Sequence, residues 1–318
     1  MADPFLDCQR ELLALQRGVI TRRQALAAGL TEKAIVVRVN SGRWQRLQTG
    51  VYATFSGEPP RVARMWAAVL RAGPGAVLSH QSAAELYGLL DTPAALIHVS
   101  VPNGSQISRP EGAVVHYSGR LSQARHPALA PPRTRVEDSV LDLVAGAATL
   151  DEAISLLLRA VGRRRTTTRR LLAALAQRPR MRWRTDIVRA LDFAEQGAHS
   201  LLEYRYITRV ERPHGLPRGA RQRPVSRDGR HQYQDVRYED YDMIVELDGQ
   251  AAHPLESRWR DTRRDNANAA DGQVTLRLGW VDVTECACLC ATVVGRALRR
   301  RGWHGPLRRC GPTCQAPA

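Results

Sequence analysis

Seven residues, Asp242–Asp248, constrain this 318-residue chain more than any others. Met243, Val245 and Leu247 alternate with Ile244, Glu246 and Asp248. Side chains on a strand point alternately to its two faces. The segment therefore reads as a strand with one apolar face and with Glu246 and Asp248 together on the other. Two carboxylates side by side on an apolar strand repel and lose hydration unless a cation lies between them. Asp235 stands eleven residues before Glu246, on Gln232–Tyr238, a second strand-like run joined to the first by a short turn at Glu239 and Asp240. If the two runs pair as a hairpin, Asp235, Glu246 and Asp248 converge. Three hard oxygen donors would hold Mg²⁺ or Mn²⁺, a site suited to clamping a phosphodiester and activating water.

The flanking segments fit a sheet covered by helices. Ser200–Glu211 reads as a helix with Leu202, Ile207 and Val210 facing in and Glu203 at the flank. Glu256–Ala270 is a very polar helix ended by Gly272, and its Arg258, Arg263 and Arg264 are candidate DNA contacts. Gln273–Val281 alternates again, with Val274, Leu276, Leu278 and Trp280 on one face and Thr275, Arg277 and Gly279 on the other. A closing helix runs towards Arg301.

The runs QYQDVRYEDYDMIVELDGQAAHP, RWRDTRRDN and VTLRLGWVDV resemble very-short-patch-repair-like endonuclease domains of unknown function, common in actinobacterial proteins, within the PD-(D/E)xK superfamily. The resemblance covers Ser200–Trp303. It implies a restriction-endonuclease-like core in which Asp235 is the motif's aspartate, Glu246 its second acid and Glu203 the acid of the first helix. Arg264 and Asp265 match the basic–acidic pair on the helix after the sheet. Asp248 falls where many members carry lysine, and the sole lysine, Lys33, lies far away in sequence. His253 is a candidate substitute base; a turn histidine beside Pro254 is the plainer reading. For the acids, an active nuclease and an inherited fold that no longer cuts both stay open, with the first expected.

The N-terminal segment has a different grammar. Glu11–Gln16 is a short helix; Thr21 caps a helix over Arg22–Ala28 and Thr31 another over Glu32–Asn40, with only Gly29 and Leu30 between. That spacing is a helix-turn-helix. Trp44–Leu47 and Val51–Ala53 around Gly50 supply a wing. In the second helix Ile35 and Val39 face the core, which leaves Val36 and Val37 near the exposed face, where a reader of base edges would place Arg, Asn or Gln. Lys33, Arg38, Asn40, Arg43 and Arg46 are the candidate DNA contacts, to phosphate more than to bases. The runs GVITRRQALAAGLTEKAI and SGRWQRLQTGVYA resemble the N-terminal domain of AbiEi-type antitoxins, the DNA-binding half of a toxin–antitoxin system. The similarity continues through LSHQSAAELYGLL, then the strand-like ALIHVSVP and AVVHYSG, to a proline-rich connector at Pro127–Thr134.

The middle of the chain is helical: Glu137–Ala145, Leu150–Val161, and two helices within Arg159–Arg189, a stretch with eleven arginines and one acid. Leu171, Leu172 and Leu175 are expected inside and the arginines outside, either as a phosphate-contacting surface or as a solvated face enlarged by arginine-rich coding bias. The formal net charge of +16 calls for a polyanionic partner, nucleic acid first. No apolar run approaches the ~18 residues of a membrane span, and Met1–Arg10 has no basic-then-apolar leader pattern, so a cytoplasmic protein without a membrane partner is expected. Of the six cysteines, Cys8 stands apart, while Cys286, Cys288, Cys290, Cys310 and Cys314 crowd near the end. No spacing matches a CxxC…CxxC zinc site; free thiols are the favoured reading over zinc.

The expectation is thus an α+β multidomain chain. It has a winged helix (1–57), an AbiEi-like α/β region (58–134), a helical arginine-rich linker (135–198), a nuclease-like domain (199–304) and a Cys/Pro-containing tail (305–318). Its expected function is DNA binding with metal-dependent endonuclease or nickase chemistry in genome defence or repair. The alternative is an antitoxin-like transcriptional regulator with an inert nuclease fold. A cognate toxin is the expected protein partner.

Overall fold

The computed structural model describes residues 9–227, 230–248, 262–263 and 266–317. The chain divides into two compact bodies, Met1–Ala148 with Arg163–Arg182, and Thr149–Gly162 with Trp183–Ala318.

The first body begins with α1 (Arg10–Leu15), β1 (Val19–Thr21), α2 (Arg22–Ala27), α3 (Glu32–Asn40), β2 (Gln45–Gln48) and β3 (Val51–Ala53). The strands form an antiparallel sheet in the order β1-β3-β2. Both helices start where a hydroxyl can satisfy a free backbone N–H. Thr21 Oγ1 accepts from Gln24 N at 3.1 Å, and the Gln24 side chain accepts the Thr21 N–H at 2.9 Å, a capping box. Thr31 Oγ1 accepts from Ala34 N at 3.2 Å. Gly29, at φ +90°, makes the tight turn between them. Leu13, Ile20, Ala25, Ile35, Trp44 and Tyr52 close the core of this winged helix.

Next comes α4 (Arg61–Ala72), which is apolar around most of its circumference because both sides are covered. Ala63, Trp66 and Ala67 pack with Val19 and Val51 of the winged-helix sheet. Met65, Ala68, Val69 and Ala72 pack with Leu78, Ile97, Val99 and Val101. Those partners belong to β4 (Val77–Leu78) and β5 (Ile97–Pro102), which α5 (His80–Leu86) connects. Beside β5 lies β6 (Ala113–Ser118), parallel to it, and the order is β4-β5-β6.

The helical stretch 135–198 contributes to both bodies. Its helices are α6 (Val136–Gly146), α7 (Leu150–Gly162), α8 (Thr168–Ala176) and α9 (Arg184–Glu195). α6 and α8 belong to the first body, α7 and α9 to the second. Leu171 and Leu175 are buried as expected, but Leu172 is exposed. Most of the arginines do face outward. Arg178 does not: its side chain is 15% exposed, and Nη1 and Nη2 bind Asp142 at 2.6 Å and Asp138 at 2.9 Å on α6. Buried Asp138 and half-buried Asp142 on one helix face hold this cation inward.

In the second body, α7 and α9 pack through Ile154, Leu158, Ala190, Phe193 and Ala194. α10 (Leu201–Arg205) runs directly into a π-helical turn, Tyr206–Glu211. Then follow β7 (Ala220–Arg227), β8 (Arg230–Tyr238), β9 (Met243–Asp248) and β10 (Val274–Gly279). β7, β8 and β9 are an antiparallel meander and β10 lies parallel to β9, in the order β10-β9-β8-β7. The last strand stops at Gly279, short of Val281, because the Gly279 N–H is taken by Asp282 Oδ2 at 2.8 Å as α11 (Trp280–Thr284) begins. α12 (Ala287–Arg299) closes the body. Met243, Val245, Val236 and Tyr238 lie in one core with Tyr206, Val294 and Leu298, and that core also takes in Trp303 after α12 and Leu307, Cys314 and Ala316 of the tail. Among the described residues no helix is long and apolar enough to cross a membrane.

Candidate functional site

β8 and β9 pair as the alternation predicts. Val236 faces Val245 and Tyr238 faces Met243 on the core side. The paired register ends at Val236–Val245; Asp235 and Glu246 are the next residues outward, and by strand alternation both fall on the face away from that core. Asp235 is half-buried and Glu246 only 5% exposed. Asp235 Oδ2 accepts the Leu247 N–H at 2.9 Å, which fixes its rotamer against β9. β10 adds a residue to which sequence reasoning assigned no role. Arg277 is the Cα partner of Glu246, and its Nη1 donates to both oxygens of Asp248, at 3.3 and 3.2 Å. The alternation of Gln273–Val281 had already placed Arg277 on the polar face; the parallel pairing with β9 is what makes it a neighbour of the acids.

The structure therefore ties Asp235 to the β9 backbone at Leu247 and gives Asp248 to Arg277. Among the described residues, groups of three or more metal-binding side chains with ligand atoms within 4.8 Å form elsewhere, and the three acids are not such a group. Glu203 is not at the flank of its helix but buried, 5% exposed. It completes a cap: its N–H goes to Ser200 Oγ at 3.1 Å and its Oε2 accepts the His199 N–H at 3.1 Å. Arg263 is exposed and helical. His253, Arg258 and Arg264 lie outside the described residues. As a donor set, Asp235 and Glu246 suit a divalent cation of the Mg²⁺ kind, which keeps several waters and takes only one or two carboxylates from protein.

On the winged helix, Lys33, Asn40, Arg43 and Arg46 are exposed and Arg38 is half-buried, its guanidinium 5.8 Å over the Trp44 ring. Arg43 Nε donates to Ser41 Oγ at 3.2 Å. Arg22 of α2 is ion-paired with Glu32 of α3, which ties the two helices together. Val36 and Val37 are 53% and 48% exposed, so α3 offers a cation, an amide and a small apolar patch to solvent. This surface can contact phosphates and pack against thymine methyl groups; it carries few groups for reading base edges.

A third cluster went unnoticed in the sequence. His80 opens α5 at φ +48°, a left-handed conformation that costs a non-glycine residue on the order of 1 kcal/mol. Its ring stacks on His116 with centroids 3.7 Å apart, and His116 Nε2 lies 2.9 Å from His98 Nδ1. His80 Nδ1 is 3.0 Å from Ser79 Oγ, which accepts from Ser100 Oγ at 2.7 Å. The cluster edges a cleft of about 310 Å³ with Arg120, Asp138, Asp142 and Arg178. Burial, then the fields of His116, His98 and Arg178, lower the His80 pKa to about 3. Burial lowers His98 and His116 as well. The signal was a histidine on each of two adjacent strands, in ALIHVSVP and AVVHYSG, but strand pairing is needed to join them.

Residues 9–54 match a family model described as transcriptional regulator, AbiEi antitoxin. No curated protein matches the chain. Among solved structures, the RV2827C protein from Mycobacterium tuberculosis is similar at 17% identity, over 60% of this chain and 78% of that one. Its TM-score of 0.40 is too loose a likeness to carry a fold assignment.

Proposed function

We propose that this protein binds duplex DNA through its N-terminal winged helix and acts as an antitoxin-like transcriptional regulator. The match of residues 9–54 to the AbiEi antitoxin model carries this reading. It agrees with the exposed Lys33, Asn40, Arg43 and Arg46 on α3 and the wing, and with a net charge of +16. A cognate toxin is the protein partner this reading implies. A gel shift in EDTA with duplex DNA tests it: retarded complexes are expected, and their absence at low salt removes the proposal.

A second reading adds chemistry to the same binding, metal-dependent phosphodiester hydrolysis by the C-terminal sheet in genome defence or repair. The observation that favours it is Asp235, bonded to the Leu247 N–H of the strand that carries Glu246, on a sheet built as a meander plus one parallel strand. Asp235 and Glu246 would hold Mg²⁺ or Mn²⁺, which supplies an activated water and shields phosphate charge. Arg277, already near these acids, is fixed in charge and suits a developing phosphorane oxyanion better than base duty. Supercoiled plasmid incubated with Mg²⁺ or Mn²⁺ separates the readings. Nicking supports hydrolysis; intact plasmid together with a positive gel shift leaves the regulator.

A further inference from the structure

The chain ends in a segment with almost no regular secondary structure, yet Trp303, Leu307, Cys314 and Ala316 are packed in the core of the second body. Backbone order of that kind costs about 1–2 kcal/mol per residue and must be offset by something local. Four side chains meet at this place: His214 from the turn after the π-helical segment, Cys288 from α12, and Cys310 and Cys314 from the tail. Their ligand atoms all lie within 4.8 Å of one another. His214 and Cys314 are buried, Cys288 is half-buried and Cys310 is exposed.

The separations identify the arrangement. Cys288 Sγ is 3.6 Å from Cys310 Sγ and 3.7 Å from Cys314 Sγ, and Cys314 Sγ is 3.6 Å from His214 Nε2. A disulfide requires about 2.05 Å between sulfurs. A tetrahedral zinc with Zn–S near 2.3 Å and Zn–N near 2.0–2.1 Å requires about 3.8 Å between sulfurs and about 3.6 Å from sulfur to nitrogen. Three of the six edges have the lengths of such a tetrahedron, and the ligand atoms all lie within 4.8 Å of one another. The outer contacts agree. His214 Nδ1 donates to Val210 O at 2.9 Å, which fixes the tautomer and turns the Nε2 lone pair towards the thiols. The Ala316 N–H points to Cys314 Sγ at 3.4 Å, a donor aimed at sulfur charge.

We propose that His214, Cys288, Cys310 and Cys314 form a structural zinc site that fastens the C-terminal tail to α12 and to the π-helical turn. All four tetrahedral positions are filled by protein, so the site has no open position for catalysis. Three thiols lose their protons to solvent on binding and His214 binds through its neutral Nε2. Soft thiolates select zinc over magnesium or calcium. The site is independent of the acids on β8 and β9. It was hidden in the sequence because its ligands come from three separate segments; only Cys310 and Cys314 are close neighbours, and the histidine lies 74 positions before the first cysteine.

Metal analysis of full-length protein grown with zinc and purified without chelator is the first test, with about one zinc per chain expected. Exchange with Co²⁺ should give thiolate-to-cobalt charge-transfer absorption and the intense d–d bands of a tetrahedral site. Cys310→Ser and Cys314→Ser should lose tight metal binding, whereas Cys286→Ser should keep it. His214→Cys, which supplies a fourth thiolate, should retain the metal and shift the cobalt spectrum. Chelation of the wild type should speed tryptic cleavage at Arg308 and Arg309. The proposal is overturned by wild-type protein that neither carries zinc nor takes up Co²⁺, by equal metal loss in Cys286→Ser and Cys314→Ser, or by a Cys310–Cys314 disulfide in freshly purified protein.

Discussion

Asp248 and Arg277 show how one contact changes the chemistry of a strand. Read alone, Glu246 and Asp248 are two acids awaiting a cation; with β10 in place, the Arg277 guanidinium already lies 3.2 Å from Asp248. In the proposed hydrolytic site, Asp235 and Glu246 would be the acids that hold the metal. On the hydrolytic reading, Asp235→Asn and Glu246→Gln should each lower Mg²⁺-dependent nicking by orders of magnitude, with DNA affinity unchanged or higher in a filter-binding assay. Wild-type cutting by Glu246→Gln places the chemistry elsewhere. The histidine cluster makes a separate residue-scale prediction. His80 is faced by His98, His116, Asp142 and Arg178. Its pKa is lower in the native state than the ordinary 6.5, so the unfolded chain binds the proton more readily. Its contribution to stability is therefore complete above pH 6.5 and is lost as pH falls towards 3, at up to about 1.4 kcal/mol per pH unit. Urea unfolding of the wild type should steepen over pH 6.5–4 relative to His80→Gln; identical slopes contradict the assignment.

At the scale of elements, the helix starts follow from hydroxyls ahead of periodic apolar runs. Thr21→Ala removes a capping box whose two bonds are 3.1 and 2.9 Å. It should cost about 1 kcal/mol, read as a lower thermal midpoint without loss of the folded baseline. Both caps of the helix-turn-helix, the wing strands and the β8–β9 hairpin were legible because each rests on local periodicity or a local cap. What was not legible depends on contacts between distant segments. Glu203 reads as a flank residue by helical spacing but is buried because it caps its own helix. Arg178 reads as one more outward arginine until Asp138 and Asp142 are seen on the neighbouring helix. His98 joins His116 only through the register of parallel strands. Cysteine spacing alone says nothing of His214. Of the candidate site, the β8–β9 pairing that carries Asp235 and Glu246 was readable from parity; the contact of Arg277 with Asp248 was not.

For the whole molecule, charge and family likeness point the same way. Almost all of the cationic side chains are arginine, with Lys33 the sole lysine, so the positive charge persists at any working pH. Binding that rests on phosphate contacts releases counterions, so log affinity should fall linearly with log salt at a slope of about −0.9 per contact on duplex DNA. On the proposed reading this binding belongs to residues 9–54, which match the AbiEi antitoxin model, and α3 and the wing are where its loss is to be tested. The most direct measurement is fluorescence anisotropy of labelled duplex DNA in EDTA, comparing wild type with a Lys33→Glu, Arg43→Glu, Arg46→Glu triple variant across a salt series. The account predicts that wild type binds with a steep salt dependence and that the variant, its fold checked by circular dichroism, binds at least about tenfold more weakly with a shallower slope. Wild type that binds no better than a neutral control at ~50 mM salt, or a folded variant that binds as wild type does, contradicts it.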